Sequence, residues 1–236
     1  MSLKMNDKSL RAEFDLLADD YYQTHKANIA ITGEGPEYFS RYKVADFAQY
    51  FTGKNYPASI LDFGSGIGNS IPYFREFFNQ SELFCGDVSE RSMEISQERF
   101  PGKENYLKID DGIPADDESF DAVFTACVFH HIPHDDHIKW LVELARVTRA
   151  GGILAVYEHN PLNPLTVRAV NHCPLDVNAR LIRAGQMKKN LIKSGWRDVN
   201  IEYKVFFPAA LKSLRLLEKY MKGLFLGAQW RLTAIK

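Results

Sequence analysis

The sequence predicts an α/β fold in which a mostly parallel, seven-stranded sheet carries helices on both faces. From residue 58 onward, short apolar segments typical of strands alternate with segments of helical periodicity. Such alternation predicts parallel strands joined by helical crossovers. Near the end of the chain, Pro208 closes one strand and Gly227 precedes the next. We therefore expect the last strand to return antiparallel beside its predecessor.

The individual elements follow from these patterns in chain order. Short apolar runs predict strands at 59–63, 82–87, 104–109, 120–127, 153–159, 199–206 and 228–235. Apolar residues at helical spacing predict helices at 69–79, 90–99, 136–148, 184–194 and 209–222.

Two further segments lie outside this alternation. Residues 9 to about 55 show helical spacing around a turn-rich stretch at 32–36, so we expect a helical cap or lid at 1–55 and a second domain at 56–236. This cap is rich in aromatic side chains that could wall a dry pocket. The insert 160–183 contains many Asn, Pro and Arg residues without a clear period, and we expect it to form a loop or lid over the strand ends.

Composition favours a cytoplasmic protein with a well-packed core. The chain has 236 residues, 45% of them hydrophobic, and a net charge of −1 that provides no bulk field to attract nucleic acid. Its three cysteines are widely spaced and predict neither a disulfide framework nor a zinc site. The N-terminus lacks the apolar region of a signal peptide, and no segment approaches the ~18 apolar residues of a membrane span.

The most informative segment is Ile-Leu-Asp-Phe-Gly-Ser-Gly-Ile-Gly-Asn at 60–69. An apolar strand ends in Asp62, three alternating glycines follow, and a helical pattern begins, which is the context of a nucleotide-binding turn. The spacing is G-x-G-x-G, because Asn69 stands where a dinucleotide pattern has its third glycine. This difference argues against a pyrophosphate and favours a ligand with a methionine tail.

Three more candidate binding segments follow at the ends of the next strands. Asp87 lies about 20 residues past the glycine turn and suits the two hydroxyls of a ribose. Asp110, Asp111 and Gly112 follow the third strand and could contact the edge of an adenine. Ala126 and Cys127 end the fourth strand. Each segment alone could be a solvated strand end or a helix cap, but their order along successive strands predicts one shared site.

Together these segments resemble the class I S-adenosylmethionine-dependent methyltransferases that act on small molecules. The matching stretch, about 58–160, covers under half of the chain and includes the four segments above. The resemblance implies a Rossmann-like sheet of seven strands with the last antiparallel, and S-adenosylmethionine as the cofactor. It places Asp62, Gly64, Ser65, Gly66 and Gly68 at the methionine moiety, Asp87 and Val88 at the ribose with Met93 nearby, and Asp110, Asp111 and Gly112 at the adenine. From their positions we also expect Phe63 to bind the cofactor, and Ala126 and Cys127 to border its sulfur end. Residues 148–152 resemble the family's turn before the fifth strand.

The candidate catalytic residues are histidines near the ends of strands four and five. His130, His131 and His159 could accept a proton at neutral pH, or one of them could simply pack against the cofactor. A metal site is an alternative, with ligands among His130, His131, His134, Asp135, Asp136 and His137. Because Pro133 would interrupt the helix that His130 and His134 need to share, we predict no metal.

We expect an enzyme that transfers a methyl group to a small-molecule acceptor. A cofactor-binding module without catalysis and a nucleotide-dependent oxidoreductase remain alternatives. The helix at 209–222 has a basic face with Lys212, Arg215, Lys219 and Lys222, which leaves a lipid-linked acceptor open.

Overall fold

The computed structural model describes residue 15 and residues 18–29, 32–53 and 56–236. The strands are β1 (Ser59–Phe63), β2 (Glu82–Asp87), β3 (Asn105–Lys108), β4 (Phe120–Ala126), β5 (Thr148–His159), β6 (Arg197–Lys204) and β7 (Gln229–Ile235). They form one sheet in the order β3-β2-β1-β4-β5-β7-β6, in which β7 runs antiparallel to both of its neighbours. The predicted fold class is confirmed.

The helices cover both faces of this sheet. They are α1 (Tyr21–Ile29), α2 (Pro36–Tyr50), α3 (Ile71–Phe77), α4 (Glu90–Arg99), α5 (His137–Val147), α6 (Pro164–Asn171), α7 (Ala184–Lys193) and α8 (Glu218–Met221), with 3-10 turns at His134–Asp136, Pro174–Asp176 and Ala209–Leu217. Two buried clusters separate the faces. One contains residues of α5 and α7, and the other contains residues of α2 and α3.

The N-terminal helices differ in how they contact the sheet. Val44 and Phe47 of α2 are fully buried in the core cluster, whereas no side chain of α1 is buried. Helix α2 therefore stabilises the sheet directly, by burying apolar surface. The division of the chain at residue 55 stays a prediction, and part of the expected cap lies outside the described residues.

The structure corrects the predicted start of strand β5. Residues 148–152 belong to the strand, which begins at Thr148 and not at 153. The pairing of β4 with β5 shifts register between Phe120 and Ala122, and Gly151 has φ +76°. This irregularity lets the strand continue through a glycine-containing segment whose composition is typical of a turn.

Two further segments, 209–222 and the insert 160–183, also differ from the predictions. The predicted helix at 209–222 is a 3-10 segment over Ala209–Leu217 followed by the four-residue α8, and none of its side chains is buried. Without burial, tertiary packing does not stabilise a long α-helix there. The insert contains helix α6, which begins at the N-cap Asn163. The Asn163 side chain accepts a hydrogen bond from the Thr166 N–H at 3.1 Å, and this local cap was missed.

Candidate functional site

The glycine turn after β1 brings its backbone to the carboxyl edge of the sheet. Gly64, Gly66 and Gly68 all have positive φ angles, which favour glycine. A Cβ on Gly64 would lie 2.3 Å from Cγ2 of Val128, so this position must lack a side chain for packing reasons. A Cβ on Gly66 would meet open space, which leaves the turn accessible from the cavity beside it.

Asp87, at the end of β2, holds the glycine turn in place. Its Oδ2 accepts a hydrogen bond of 2.7 Å from the Gly66 N–H, and its Oδ1 accepts one of 2.9 Å from the Ser89 N–H. Burial raises the pKa of the Asp87 carboxyl, although these backbone bonds oppose the shift. The bond from Gly66 thereby joins the turn after β1 to the end of β2.

Asp62 is a buried carboxyl with unused hydrogen-bonding capacity. Its Oδ2 has no hydrogen-bond partner among the described residues, and neither does the Oγ of Ser65 in the adjoining turn. Burial and the nearby Asp87 raise the pKa of Asp62 to about 8. Because unsatisfied buried polar atoms are costly, this pair of atoms indicates a ligand-binding position.

A cavity of about 680 Å³ opens beside these residues at the carboxyl ends of the strands. Its size is within the usual range for small-molecule sites. Most of the predicted residues line this cavity: Asp62, Phe63, Gly64, Ser65, Gly66, Asp87, Val88, Asp110, Asp111, Ala126, Cys127, His130, His131 and His159.

Three of the predicted cofactor-binding residues do not line the cavity. Met93 is buried in the core. A Cβ on Gly68 would lie 2.2 Å from Oγ of Ser96, so this glycine allows α4 to pack against the turn. A Cβ on Gly112 would lie 3.0 Å from Oε1 of Glu143. The geometry therefore gives Gly68 and Gly112 a packing explanation.

His130 lies between two carboxylates at the turn after β4. Its Nδ1 is 2.6 Å from Oε2 of Glu158, and its Nε2 is 3.4 Å from Oδ1 of Asp176. The histidine and Glu158 are both almost completely buried. Although burial disfavours the charged imidazole, the two carboxylates raise the pKa of His130 well above its ordinary value.

His131 and His159 have different environments. Burial and the neighbouring His130 lower the pKa of His131 to about 3, which keeps its ring neutral near pH 7. Burial opposes the charge on His159, but the adjacent Cys127 raises its pKa. The ring centroid of His130 lies 4.1 Å from that of His131 and 5.3 Å from that of His159.

Cys127 lies where β4 ends, with φ +61°, in a region that non-glycine residues seldom occupy. Its Sγ is 3.3 Å from Nζ of Lys43 in α2. Burial opposes the thiolate, but Lys43 and His159 lower the pKa of Cys127 to about 6. Helix α2 thus supplies an amine, that of Lys43, to the cavity.

His134 and His137 do not join this cluster. The Nε2 of His134 faces the backbone oxygen of Arg180 at 3.1 Å, and the Nε2 of His137 faces that of Phe129 at 2.8 Å. The structure brings Asp176 of the insert to His130 and His131 instead. No sequence pattern marked Asp176, because the insert has no periodicity and approaches the histidines only through tertiary packing.

Comparison with known proteins identifies the domain. A family described as a methyltransferase domain matches residues 61–156. Trans-aconitate 2-methyltransferase of Rhodopseudomonas palustris is 28% identical over 141 residues, which are 59% of this chain and 54% of that protein. The phthiotriol/phenolphthiotriol dimycocerosates methyltransferase of Mycobacterium leprae is 29% identical over 133 residues, which are 56% of this chain and 47% of that protein. The chain thus spans about half the length of these curated relatives.

The fold comparison agrees with the domain match. A SAM-dependent methyltransferase structure from Thermotoga maritima aligns with a TM-score of 0.69 at 17% identity, covering 96% of this chain and 99% of that one. The fold and the match define a methyltransferase domain. The matched domain, the relatives and the fold together support the class I S-adenosylmethionine-dependent methyltransferase that the sequence predicted, with S-adenosylmethionine as the cofactor.

The described residues fit this cofactor. S-adenosylmethionine carries a sulfonium and an ammonium, and the cavity offers the unpaired Oδ2 of Asp62 and the unpaired Oγ of Ser65. Gly66 leaves room for close approach to the backbone. Buried polar atoms of this kind gain the partners they lack when a cationic, hydrogen-bonding ligand binds.

Proposed function

We propose that this protein transfers a methyl group from S-adenosylmethionine to a small-molecule acceptor. The observation that carries the proposal is the buried, unpaired Oδ2 of Asp62 at the glycine turn, inside a cavity that also reaches the candidate histidines His130, His131 and His159. A carboxylate in this position favours a cationic ligand, since pairing with it offsets the cost of burying the charge.

The cofactor half of the cavity consists of the ends of β1, β2 and the turn after β3. We propose that Asp62, Ser65 and Gly66 hold the amino-acid end of the cofactor. Asp87 and Val88 would hold the ribose, and Asp110 and Asp111 would contact the adenine. The cofactor supplies a methyl group already activated by its bond to a sulfonium, so the protein needs no covalent intermediate.

The acceptor half lies between β4, β5, the insert and α1. We propose that the reacting atom of the acceptor lies against His130, His131 and His159, with Ala126 and Cys127 between it and the cofactor half. Tyr21 and His25 of α1 line the same cavity on the side of the N-terminal helices. These side chains would orient the acceptor and exclude water, which are the main requirements of a direct group transfer.

A lipid-linked acceptor is a second proposal, favoured by exposed apolar side chains in a segment that reaches the cavity wall. Eight large apolar side chains are exposed in the segment 211–226, and Leu216 and Tyr220 are each almost 80% exposed. Patches of this kind mark lipid or protein contacts. The segment adjoins the cavity through Arg215, which lines it and packs over Tyr38. Within the described residues no helix is long and apolar enough to cross a bilayer.

Methyl-labelled S-adenosylmethionine tests the proposed activity. The purified protein is incubated with the labelled cofactor and with aqueous or lipid-extractable metabolite fractions, and S-adenosylhomocysteine and labelled product are measured. We expect cofactor turnover with one class of fraction. Asp62→Asn should lose turnover, while Asp117→Asn, which changes an exposed surface carboxylate, should retain it.

The same assay separates the alternatives. A cofactor-binding module without catalysis would bind S-adenosylmethionine but release no S-adenosylhomocysteine with any fraction. A nucleotide-dependent oxidoreductase would bind a nicotinamide dinucleotide and show no turnover of the methyl donor. Product formation with the lipid extract alone would favour the lipid-linked acceptor, and product with the aqueous fraction alone would exclude it.

A further inference from the structure

Three side chains from two segments, the turn after β4 and the insert, direct ligand atoms at one point of the cavity wall. Nε2 of His130 lies 3.4 Å from Oδ1 of Asp176, and Nε2 of His131 lies 3.6 Å from the same oxygen. One imidazole nitrogen from each histidine and a carboxylate oxygen of Asp176 all lie within 4.8 Å of one another. A single ion can therefore contact all three atoms.

The distances to Asp176 match the spacing of neighbouring ligands on a metal ion. N–H···O hydrogen bonds are usually about 2.7–3.2 Å long, and both distances to Asp176 are longer. Two ligands bound tetrahedrally to zinc at about 2.0–2.2 Å are separated by about 3.3–3.6 Å. The observed separations of 3.4 and 3.6 Å equal those of neighbouring ligands on such an ion.

Glu158 orients His130 for this role. Its Oε2 lies 2.6 Å from Nδ1 of His130, while its Oε1 accepts hydrogen bonds from the N–H groups of Val128 and Phe129 at 2.9 and 2.7 Å. The carboxylate is thus fixed by the backbone of the turn that carries the histidine. A histidine that donates its Nδ1–H to a buried carboxylate presents Nε2 as a ligand atom, which is the usual arrangement around protein-bound metals.

We propose that His130, His131 and Asp176 bind a divalent transition-metal ion, with Glu158 as the positioning residue for His130. Two imidazoles and one carboxylate suit zinc, and three protein ligands leave a coordination position for an exogenous oxygen. All three residues line the cavity, so this position faces the acceptor half. This inference rests on the proposed function. It assigns an acceptor with a hydroxyl or carboxylate oxygen that the ion would hold, and a hydroxyl bound there would become more acidic.

This site differs from the metal cluster weighed from the sequence. That cluster drew its ligands from the run 130–137, in which His134 and His137 both face backbone oxygens. The ligand that completes the site is Asp176, which lies in the 3-10 turn Pro174–Asp176 of the insert. A metal ion would therefore tie the insert to the end of β4.

Metal uptake by the full chain tests the proposal without any measurement of activity. The protein is stripped with a chelator and dialysed against micromolar Zn²⁺, or Mn²⁺ in a second arm, and bound metal is measured by mass spectrometry. We expect one ion per wild-type chain. Asp176→Asn and His131→Gln should each lose stoichiometric binding, and Glu158→Gln should weaken it about 10–100-fold. The control His172→Gln, at an exposed histidine with the same chemistry, should keep one ion.

Several results would overturn the proposal. Less than one ion per wild-type chain in both arms would do so, as would equal uptake by wild type and Asp176→Asn. Circular dichroism and melting temperature show whether each variant folds, and if Asp176→Asn fails to fold, His131→Gln decides.

A parallel titration of the same samples with S-adenosylhomocysteine separates this inference from the proposed function. Binding of the nucleoside without metal uptake contradicts the metal site alone. Metal uptake lost in the ligand variants, in a protein that does not bind the nucleoside, supports the site and contradicts the proposed activity.

Discussion

The substitution Asp62→Asn should have opposite effects on cofactor affinity and on protein stability. Asp62 is 3% exposed, and its Oδ2 has no hydrogen-bond partner among the described residues. Because burial and Asp87 raise its pKa to about 8, the carboxyl is mostly protonated at neutral pH before a ligand binds. A bound cation favours the carboxylate, so binding should release a proton.

The size of the pH effect follows from the pKa. Below pH 7, each pH unit changes the ionised fraction of a group with a pKa of about 8 by nearly tenfold. This change corresponds to about 1.4 kcal/mol of binding free energy for a ligand that requires the carboxylate. The cofactor ammonium stays protonated in this range, because α-amino groups have pKa values of about 7.7–8.0. Wild-type affinity should therefore rise about tenfold from pH 6 to pH 7. Asp62→Asn should bind more weakly at pH 7 and lose most of this slope.

The stability effect has the opposite sign. A carboxyl whose pKa is raised on folding retains a proton that the unfolded chain releases, so stability falls as pH rises from about 4 through about 8. Asp62→Asn removes this loss and should raise the melting temperature of the ligand-free protein at pH 7. The expected rise is about 2–4 °C for each 1 kcal/mol recovered.

Isothermal titration calorimetry in buffers of different ionisation enthalpy measures both the affinity and the number of protons released. Asp117→Asn provides a control at an exposed carboxyl that does not line the cavity. If wild type and Asp62→Asn show the same pH slope and proton release, the reasoning about Asp62 is wrong.

Three other predictions concern the turn and the sheet. Asp87→Asn should weaken cofactor binding by about 1–3 kcal/mol, since it removes a charged acceptor, and an unchanged dissociation constant would refute its ribose assignment. Gly64→Ala should lower the melting temperature more than Gly53→Ala does, because both have positive φ but only Gly64 would contact another side chain; equal losses would contradict this. Asp46→Asn should lower the free energy of unfolding, measured with urea, by about 3–5 kcal/mol, because Arg231 and Lys204 each contact Asp46 at 2.7 Å. A loss under 1 kcal/mol would show that these ion pairs contribute little to stability.

Much of the fold could be predicted because local pattern and tertiary structure agree. Strands β1 and β2 and helix α4 have the predicted bounds, since apolar runs and helical spacing end at clear turn residues. The segments 148–152 and 209–222 were mispredicted for a common reason. In both, long-range pairing or its absence decides the conformation, and neither is visible in a short window of sequence.

For the same reason, the cofactor half of the candidate site could be predicted from the sequence more fully than the histidine half. The glycine turn and Asp87 could be predicted because each follows a recognisable strand and has a distinctive residue type. The environment of His130 could not, because Glu158 and Asp176 approach it from β5 and from the insert. The sequence identified His130, His131 and His159 as candidates but not the carboxylates around them, and His134 and His137 of the rejected metal alternative face backbone oxygens.

Titration of the wild-type protein with S-adenosylhomocysteine, alongside NAD⁺, shows whether the cavity binds an adenosyl ligand or a dinucleotide. We expect saturable binding of one S-adenosylhomocysteine per chain, weakened in Asp87→Asn, and no comparable binding of the dinucleotide. Saturable binding of NAD⁺ together with no binding of S-adenosylhomocysteine would contradict this expectation.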